Sequence, residues 1–411
     1  MSVSSESPFP RAEASAVVGA ALLGLVVFAF AWALLHGGPF DDARIIDTPV
    51  YEQYGDAIVR GDVPYRDFSL EYPPGALPAF VFPEVGPESS YEALFEALMF
   101  VLGGAAVVLV AVALARAGAT EAQLYAGVLL TAVTPVLLGP LLLSRFDLWP
   151  AALVAAALAA LVLDRMRLGF GLLGAAVAVK IYPLVLLPLA LLFVWRRRGR
   201  RETLVALGVF ALVVVVIVGP FFALAPGGVA DSVTRQTGRP LQIESLGASI
   251  LLAAHRTQVY DAVVESSHGS QNLVGSLPDT FAAVQTILQA LAVIAVWLLF
   301  ARSDRSRESL LVAAAAAVCA FIAFGKVLSP QFLVWLLPLV PFLILRRAYV
   351  QLGLFVAVLV VTQLWFPYRY WDVVNLGRTS WLVLVRDGLL VALFLSMLPL
   401  IRRARAVRGT P

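Results

Sequence analysis

The segment PYRDFSLEYPP, residues 64 to 74, sets Arg66, Asp67 and Glu71 within six residues and brackets them with Tyr65 and Tyr72. It lies in a stretch, 37–90, that holds ten acidic residues (Asp41, Asp42, Asp47, Glu52, Asp56, Asp62, Asp67, Glu71, Glu84, Glu88) against three basic ones, Arg44, Arg60 and Arg66. Carboxylates suit general-base work on a hydroxyl. Cations recur in other connections: Arg145 with Asp147 in SRFD, Lys180 in KIYP, Arg239 with Gln242 and Glu244 in GRPLQIES, and Lys326 with Gln331 in GKVLSPQ. Arg grips a phosphate bidentately and Lys meets it as a point charge. The chemistry on offer is deprotonation of a hydroxyl beside a bound phosphate.

These groups stand out because the rest is apolar. The chain is 60% hydrophobic and only 14% charged, against about 25% charged for a soluble domain. Apolar runs fall at roughly 16–36, 91–115, 121–143, 148–163, 168–194, 203–224, 281–300, 309–327, 331–345, 348–366 and 381–400. The reading is an all-α polytopic membrane protein, one domain over 1–411, with the first run a retained span rather than a signal peptide. Cys319 is the sole cysteine, and His36, His255 and His268 are scattered, so neither a disulfide framework nor a metal site is expected. No Walker-type phosphate loop or Ser-His-Asp pattern appears, and no cofactor is expected. The arginine-rich tail reads as a topology signal, with no nucleic acid partner.

Basic residues sort the connections. Arg116, Arg165 with Arg167, the cluster Arg196 to Arg201, Arg302 to Arg307, Arg346 with Arg347, and Arg402 to Arg408 fall in alternate loops, which the positive-inside rule makes cytoplasmic. Both termini are then inside, and 37–90 and 225–280 face outward. The run LGFGLLGAAVAVKIYPLVLLPLALLFVW has basic loops at both ends, so one crossing cannot satisfy it. Two half-helices joined at KIYP can, placing Lys180 and Tyr182 at a hairpin tip beside an outward cavity. About ten full spans plus this hairpin result.

Within the first outer loop, DTPVYEQYGDAIVRG reads as a juxtamembrane helix capped by Thr48, with Pro49 at its first position and Gly61 at its stop. Val50, Tyr54, Ala57 and Ile58 share its apolar face. Asp47 stands at its entrance. Internal ion pairs are expected between Arg66 and Glu71 and between Arg145 and Asp147, beside any role in binding a ligand. Arg386 and Asp387 interrupt the last span, where ionisable groups are costly and usually paired or functional.

Five blocks, DTPVYEQYGDAIVRGDVPYRDFSLEYPPGALP, SRFDLWPAAL, GLLGAAVAVKIYPLVLLP, LQIESLGASI and GKVLSPQFLVWLLPLV, together resemble glycosyltransferase family 87. This is the α-mannosyltransferase-like group of the GT-C superfamily, and the likeness runs from about residue 15 to 400. It implies a GT-C-like helical bundle with a cavity open to the outer leaflet, a polyprenyl-phosphate sugar donor, and a catalytic acid in the first outer loop. In that pattern an Asp precedes a Tyr and a juxtamembrane helix, which maps onto Asp47 with Tyr51. Asp41 and Asp42 form a second acidic site nearby, so three residues stand as candidates for the base. Glu244 occupies a position where better-known members carry a shorter Asn-Gln-Ser arrangement, which leaves the acceptor unassigned.

The function expected is inverting transfer of a sugar, mannose first, to a lipid or cell-envelope glycan acceptor. Tyr51, Arg66, Glu71, Tyr72, Arg145, Asp147, Lys180, Arg239, Gln242, Glu244, Lys326 and Gln331 are the expected donor- and acceptor-binding residues. Only Lys180 and Lys326 are lysines in an Ala-, Val- and Arg-rich chain, which points to the plasma membrane of a high-GC bacterium. The rival readings are a polyprenyl-phosphate lipid transporter or flippase and a non-catalytic lipid-binding protein. Transporters often pair broken helices in inverted repeats, whereas one broken segment appears here and no loop motif recurs.

Overall fold

The computed structural model describes residues 12–37, 40, 45–87 and 90–402. Asp41 and Asp42 therefore lie outside the described residues. The first apolar run folds as α1 (Ala14–Ala33), and the acidic stretch supplies α2 (Thr48–Val59) and the short α3 (Leu77–Val81). Then come α4 (Tyr91–Arg116) and α5 (Glu121–Leu138). Their turn closes on a capping box: the Gln123 amide N–H donates to the Thr120 hydroxyl, and the Thr120 N–H donates to the Gln123 side chain.

After the single turn of α6 (Leu141–Ser144), α7 (Leu148–Val162) and α8 (Met166–Val179) form a tight pair. The helix stops where expected. Lys180 is extended (φ −156°, ψ 142°), a 3₁₀ stretch covers Tyr182–Leu186, and α9 (Leu187–Leu224) starts beyond it. Pro183 explains the stop, since it lacks an N–H and biases its predecessors away from the helical region. Within α9, Gly199 adopts φ 77°, the left-handed region that costs a side-chain-bearing residue most, and divides the helix inside the arginine cluster.

The long polar stretch after α9 holds α10 (Pro226–Thr237), β1 (Leu241–Gln242), α11 (Leu246–Arg256), β2 (Val264–Ser267) and β3 (Ser270–Leu273). The strands make a small antiparallel sheet in the order β1-β3-β2. The remaining helices are α12 (Ser276–Ala301), α13 (Arg307–Ala323), α14 (Tyr349–Trp365), α15 (Tyr370–Val374) and α16 (Ser380–Arg402). Of these, α13 is buried on nearly every side, the mark of a central helix.

Among the described residues six segments are long and apolar enough to cross a membrane: Ala14–His36, Tyr91–Arg116, Glu121–Leu138, Tyr182–Leu224, Ser276–Ala301 and Ser380–Arg402. The expected count of about ten full spans is not reached on length, because α7, α8 and α14 are apolar but shorter. The run 331–345 forms two 3₁₀ helices, Pro330–Leu336 and Val340–Arg346, since Pro338 and Pro341 deny it continuous α-helical bonding. The protein is an all-α membrane protein with one minor sheet. Apolar rows lie exposed, among them Val18, Leu22, Val26 and Phe30 on α1 and Ile287, Leu291, Ile294 and Leu298 on α12. Such rows suit lipid as solvent.

The two ends of the bundle differ in charge. At one end Asp164 pairs with both Arg197 and Arg307, Arg167 with Glu202 at 3.0 Å, and Arg346 with Glu308 at 3.1 Å, which draws the arginine loops into a single layer. The acidic loop lies at the other end, where the Tyr91 hydroxyl at the start of α4 donates to the Phe80 carbonyl at 3.0 Å.

Candidate functional site

Asp47 occupies the N-cap position of α2, one residue before the expected Thr48, yet its side chain makes no capping bond. It pairs instead with the Arg145 guanidinium and accepts from the Tyr51 hydroxyl at 3.3 Å, both through Oδ2. Arg145 Nη2 also donates to the Ile45 carbonyl at 3.2 Å. The Arg145 side chain is 8% exposed and that of Asp47 29%, so the carboxylate is the open member of the pair. Burial pushes the Arg145 guanidinium down to about 10, opposed by the charges of Asp147 and Glu244, and it stays cationic at neutral pH. The expected pairing of Arg145 with Asp147 does not form.

On α2, Ala57, Tyr54 and Ile58 pack against the core as expected, but Val50 does not. Thr48, Tyr51, Gly55 and Ala57 are buried, whereas Val50 is exposed. Gly55 is what permits this, because a Cβ there would overlap the Phe80 carbonyl and the Glu84 side chain. Tyr51 is fully buried, stacked on Phe80 at 4.6 Å and edge-on to Phe146 at 5.6 Å. Tyr72 meets the same Phe146 ring edge-on at 4.8 Å.

The segment PYRDFSLEYPP is docked rather than free. The Tyr65 hydroxyl donates to the Tyr72 carbonyl at 2.5 Å, and Trp149 Nε1 donates to the Gly75 carbonyl at 3.0 Å. Gly75 presses against the end of α8, where a Cβ would come within 2.6 Å of the Ala178 backbone carbonyl. Backbone cannot yield as a flexible side chain does. Gly75→Ala should therefore cost roughly 1–3 kcal/mol, read as a lower thermal unfolding midpoint, and an unchanged midpoint would mean that the loop and α8 do not touch. Arg66 projects into solvent and pairs with Asp67 at 2.8 Å, not with Glu71, because the adjacent carboxylate is nearer to hand. The Arg66 guanidinium and the Val63 N–H hold the Asp67 carboxyl down at about 2. Glu71 accepts from Gln236 Nε2 through its main-chain carbonyl at 3.3 Å.

At the break after α8, Lys180 Nζ donates to Asp147 Oδ1 at 2.6 Å, and Trp335 Nε1 donates to the same oxygen at 2.6 Å. Asp147 is fully buried, while the Lys180 side chain keeps 12% exposure. The ammonium lies 4.7 Å from the Phe146 ring centroid, 5.2 Å from that of Trp335, 5.4 Å from Phe332 and 6.0 Å from Tyr72, which is cation–π range. Trp335 is itself sandwiched between Tyr182 at 4.0 Å and Phe332 at 4.2 Å.

A second polar group lies around β1, the start of the loop after α13, and α16. Gln242 Nε2 donates to Glu244 Oε2 at 2.5 Å, Arg386 Nη2 donates to the Glu244 carbonyl at 2.7 Å, and Arg386 Nε lies 2.7 Å from Asp387 Oδ1. Lys326 Nζ donates to the Thr237 carbonyl at 2.9 Å, and its own carbonyl accepts from the Gln242 N–H at 3.0 Å. Arg239 donates to the His268 carbonyl and the Ser270 hydroxyl, each at 3.0 Å. Gln331 is buried at the start of the first 3₁₀ helix after α13.

Burial pushes the Glu244 carboxyl up to about 7, against the pull of Arg386 and the Gln242 bond. A raised carboxyl favours the protonated fold. Stability should thus fall as pH rises from the ordinary glutamate value through about 7, by on the order of 3 kcal/mol at full ionisation. Glu244→Gln should flatten that part of the unfolding-midpoint profile, and identical profiles would contradict the assignment.

The structure brings Asp47, Tyr51 and Arg145 into one cluster and Tyr72, Asp147 and Lys180 into its neighbour, with Phe146 touching both. Glu244, which accepts from Gln242, stands within electrostatic reach of Arg145. Arg66 stays apart. Trp335, Phe332 and Phe146 were not legible as site residues, since aromatics in apolar runs normally read as core. Gln285 was missed too, although a lone amide in the apolar run of α12 was a signal. It accepts from the Gly247 N–H at 2.9 Å and donates to the Gly325 carbonyl at 3.0 Å, tying α11 to the Lys326 loop.

Residues 70–330 match the family model of glycosyltransferase family 87. Asp47, Tyr51 and Arg66 precede that range and Gln331 follows it, whereas the other described candidates fall inside. No curated protein matches the chain.

Proposed function

The chain belongs to glycosyltransferase family 87 and is a membrane glycosyltransferase, and from that premise we propose that it takes a sugar, mannose first, from a polyprenyl-phosphate donor. The acceptor is a lipid or cell-envelope glycan hydroxyl at the outer face of a bacterial plasma membrane, with both termini cytoplasmic. The observation that carries this reading is the carboxylate of Asp47. It is held by Arg145 and Tyr51 through Oδ2, keeps Oδ1 without a partner among the described residues, and remains solvent-accessible beside a caged lysine.

In the reaction, the acceptor hydroxyl gives its proton to Asp47 as its oxygen bonds to the anomeric carbon. The bond from that carbon to the phosphate oxygen breaks, the electron pair leaves with polyprenyl phosphate, and the anomeric configuration inverts. General-base assistance of this kind contributes about 10²–10⁴-fold. Lys180 meets the phosphate where negative charge develops, and Arg145 shares that task from the other side of Phe146. Tyr72 walls the site. Gln242 and Glu244 face the acceptor, and Arg239 and Lys326 fix the loops that carry them. The test is a panel of radiolabelled polyprenyl-phosphate sugars given to purified protein with a total lipid extract. Label moving from one donor into acceptor supports the reading, and label staying on every donor overturns it.

A further inference from the structure

At the arginine-loop end of the bundle, opposite Asp47, a cleft of about 810 Å³ opens between the start of α1, the end of α4 and the connection from α12 to α13. One wall is apolar, made by Ala14, Val17 and Val18 of α1 with Val112 and Ala115 of α4. The other carries Arg116, Arg197 and Arg307 together with Asp304 and Glu308. None of these residues serves the proposed transfer. We propose that the cleft binds the phosphate headgroup of an anionic phospholipid from the adjoining leaflet.

The charges leave room for an anion. Asp164 is shared between Arg197 and Arg307, so one carboxylate faces two guanidiniums. Arg116 makes no ion pair among the described residues, and Arg307 Nε is buried without a hydrogen-bond partner. The two acids on the wall are engaged elsewhere. Asp304 accepts from the Ser306 N–H at 3.0 Å and from the Ser309 hydroxyl at 2.7 Å, and Glu308 pairs with Arg346. Basic pockets between helices on the positive side of a membrane bind phospholipid headgroups in this way.

The apolar wall selects a lipid over a soluble phosphate. Val18 is 58% exposed at the mouth, and Leu22 and Val26 continue the same exposed row one and two turns further along α1. An acyl chain can follow that row while its headgroup meets the arginines. A free phosphate would gain the charges but nothing from the valines.

The test is native mass spectrometry of the detergent-purified full chain, given equal amounts of phosphatidylglycerol and phosphatidylcholine with the same acyl chains. Wild type should retain phosphatidylglycerol preferentially. Arg116→Gln, an exposed position with no ion pair to break among the described residues, should weaken retention about five-fold, the worth of one arginine at such a surface. Ala115→Trp should weaken it by intruding on the apolar wall with every charge intact. Both variants should keep the wild-type unfolding midpoint in neutral detergent, which separates lost binding from lost folding. Equal retention of the two lipids, wild-type retention in both variants, or displacement by soluble glycerophosphate at matching concentration would overturn the proposal.

Discussion

Asp47→Asn should yield a folded protein whose sugar transfer has fallen by about 10²–10⁴-fold, with donor binding retained. The amide has the shape of the carboxylate and can still accept from Tyr51 and Arg145, so the start of α2 keeps its contacts. What it cannot do is take a proton from the acceptor. Arg145 loses the countercharge of Asp47 but keeps its hydrogen bond to that side chain, the Ile45 carbonyl and the nearby charge of Asp147, which is why the fold survives. The loss should appear in the rate at saturating donor and not in the donor concentration needed for half-saturation. Full activity in this variant would move the base to Asp41 or Asp42.

Lys180→Met and Asp147→Asn should each destabilise the protein by about 3–5 kcal/mol, because removing one member of a buried ion pair strands the other. The double variant should recover most of that loss, since a neutral pair leaves no uncompensated charge among Phe146, Phe332 and Trp335. Unfolding midpoints of the four proteins give the coupling directly. Donor binding should follow a different pattern. The double variant should regain stability but not affinity for polyprenyl phosphate, since the proposed function has the ammonium meet the phosphate. Wild-type donor affinity in Lys180→Met would remove Lys180 from the site.

Local signals in the sequence were enough to locate several of these features. The break at Lys180 was legible because charge sorting forbade a single crossing and Pro183 supplied the stop. The arginine loops gather at one end for the same reason. Ion-pair partners were not legible. Arg145 and Asp147 are two residues apart, yet each finds its partner far along the chain, Asp47 in one case and Lys180 in the other. Short spacing in a loop says little when tertiary contacts offer a buried partner. Val50 was misplaced on the packed face of α2, and Tyr51 left off it, because Gly55 contributes nothing to apolar periodicity, although its missing side chain decides which side packs. The run 331–345 has the composition of a span but carries Pro338 and Pro341, and hydropathy does not see lost hydrogen-bond donors. Trp335 was hidden for a related reason: only its indole N–H, aimed at Asp147, separates it from ordinary core.

The most direct test of the central claim is to follow binding and transfer together on the wild-type protein in liposomes. Polyprenyl-phosphate mannose would be titrated in the presence of an acceptor lipid extract. The account predicts saturable donor binding and, over the same concentration range, mannose appearing on an acceptor with inverted anomeric configuration. Saturable binding with no mannose transferred would contradict it and leave a protein that holds the lipid without acting on it.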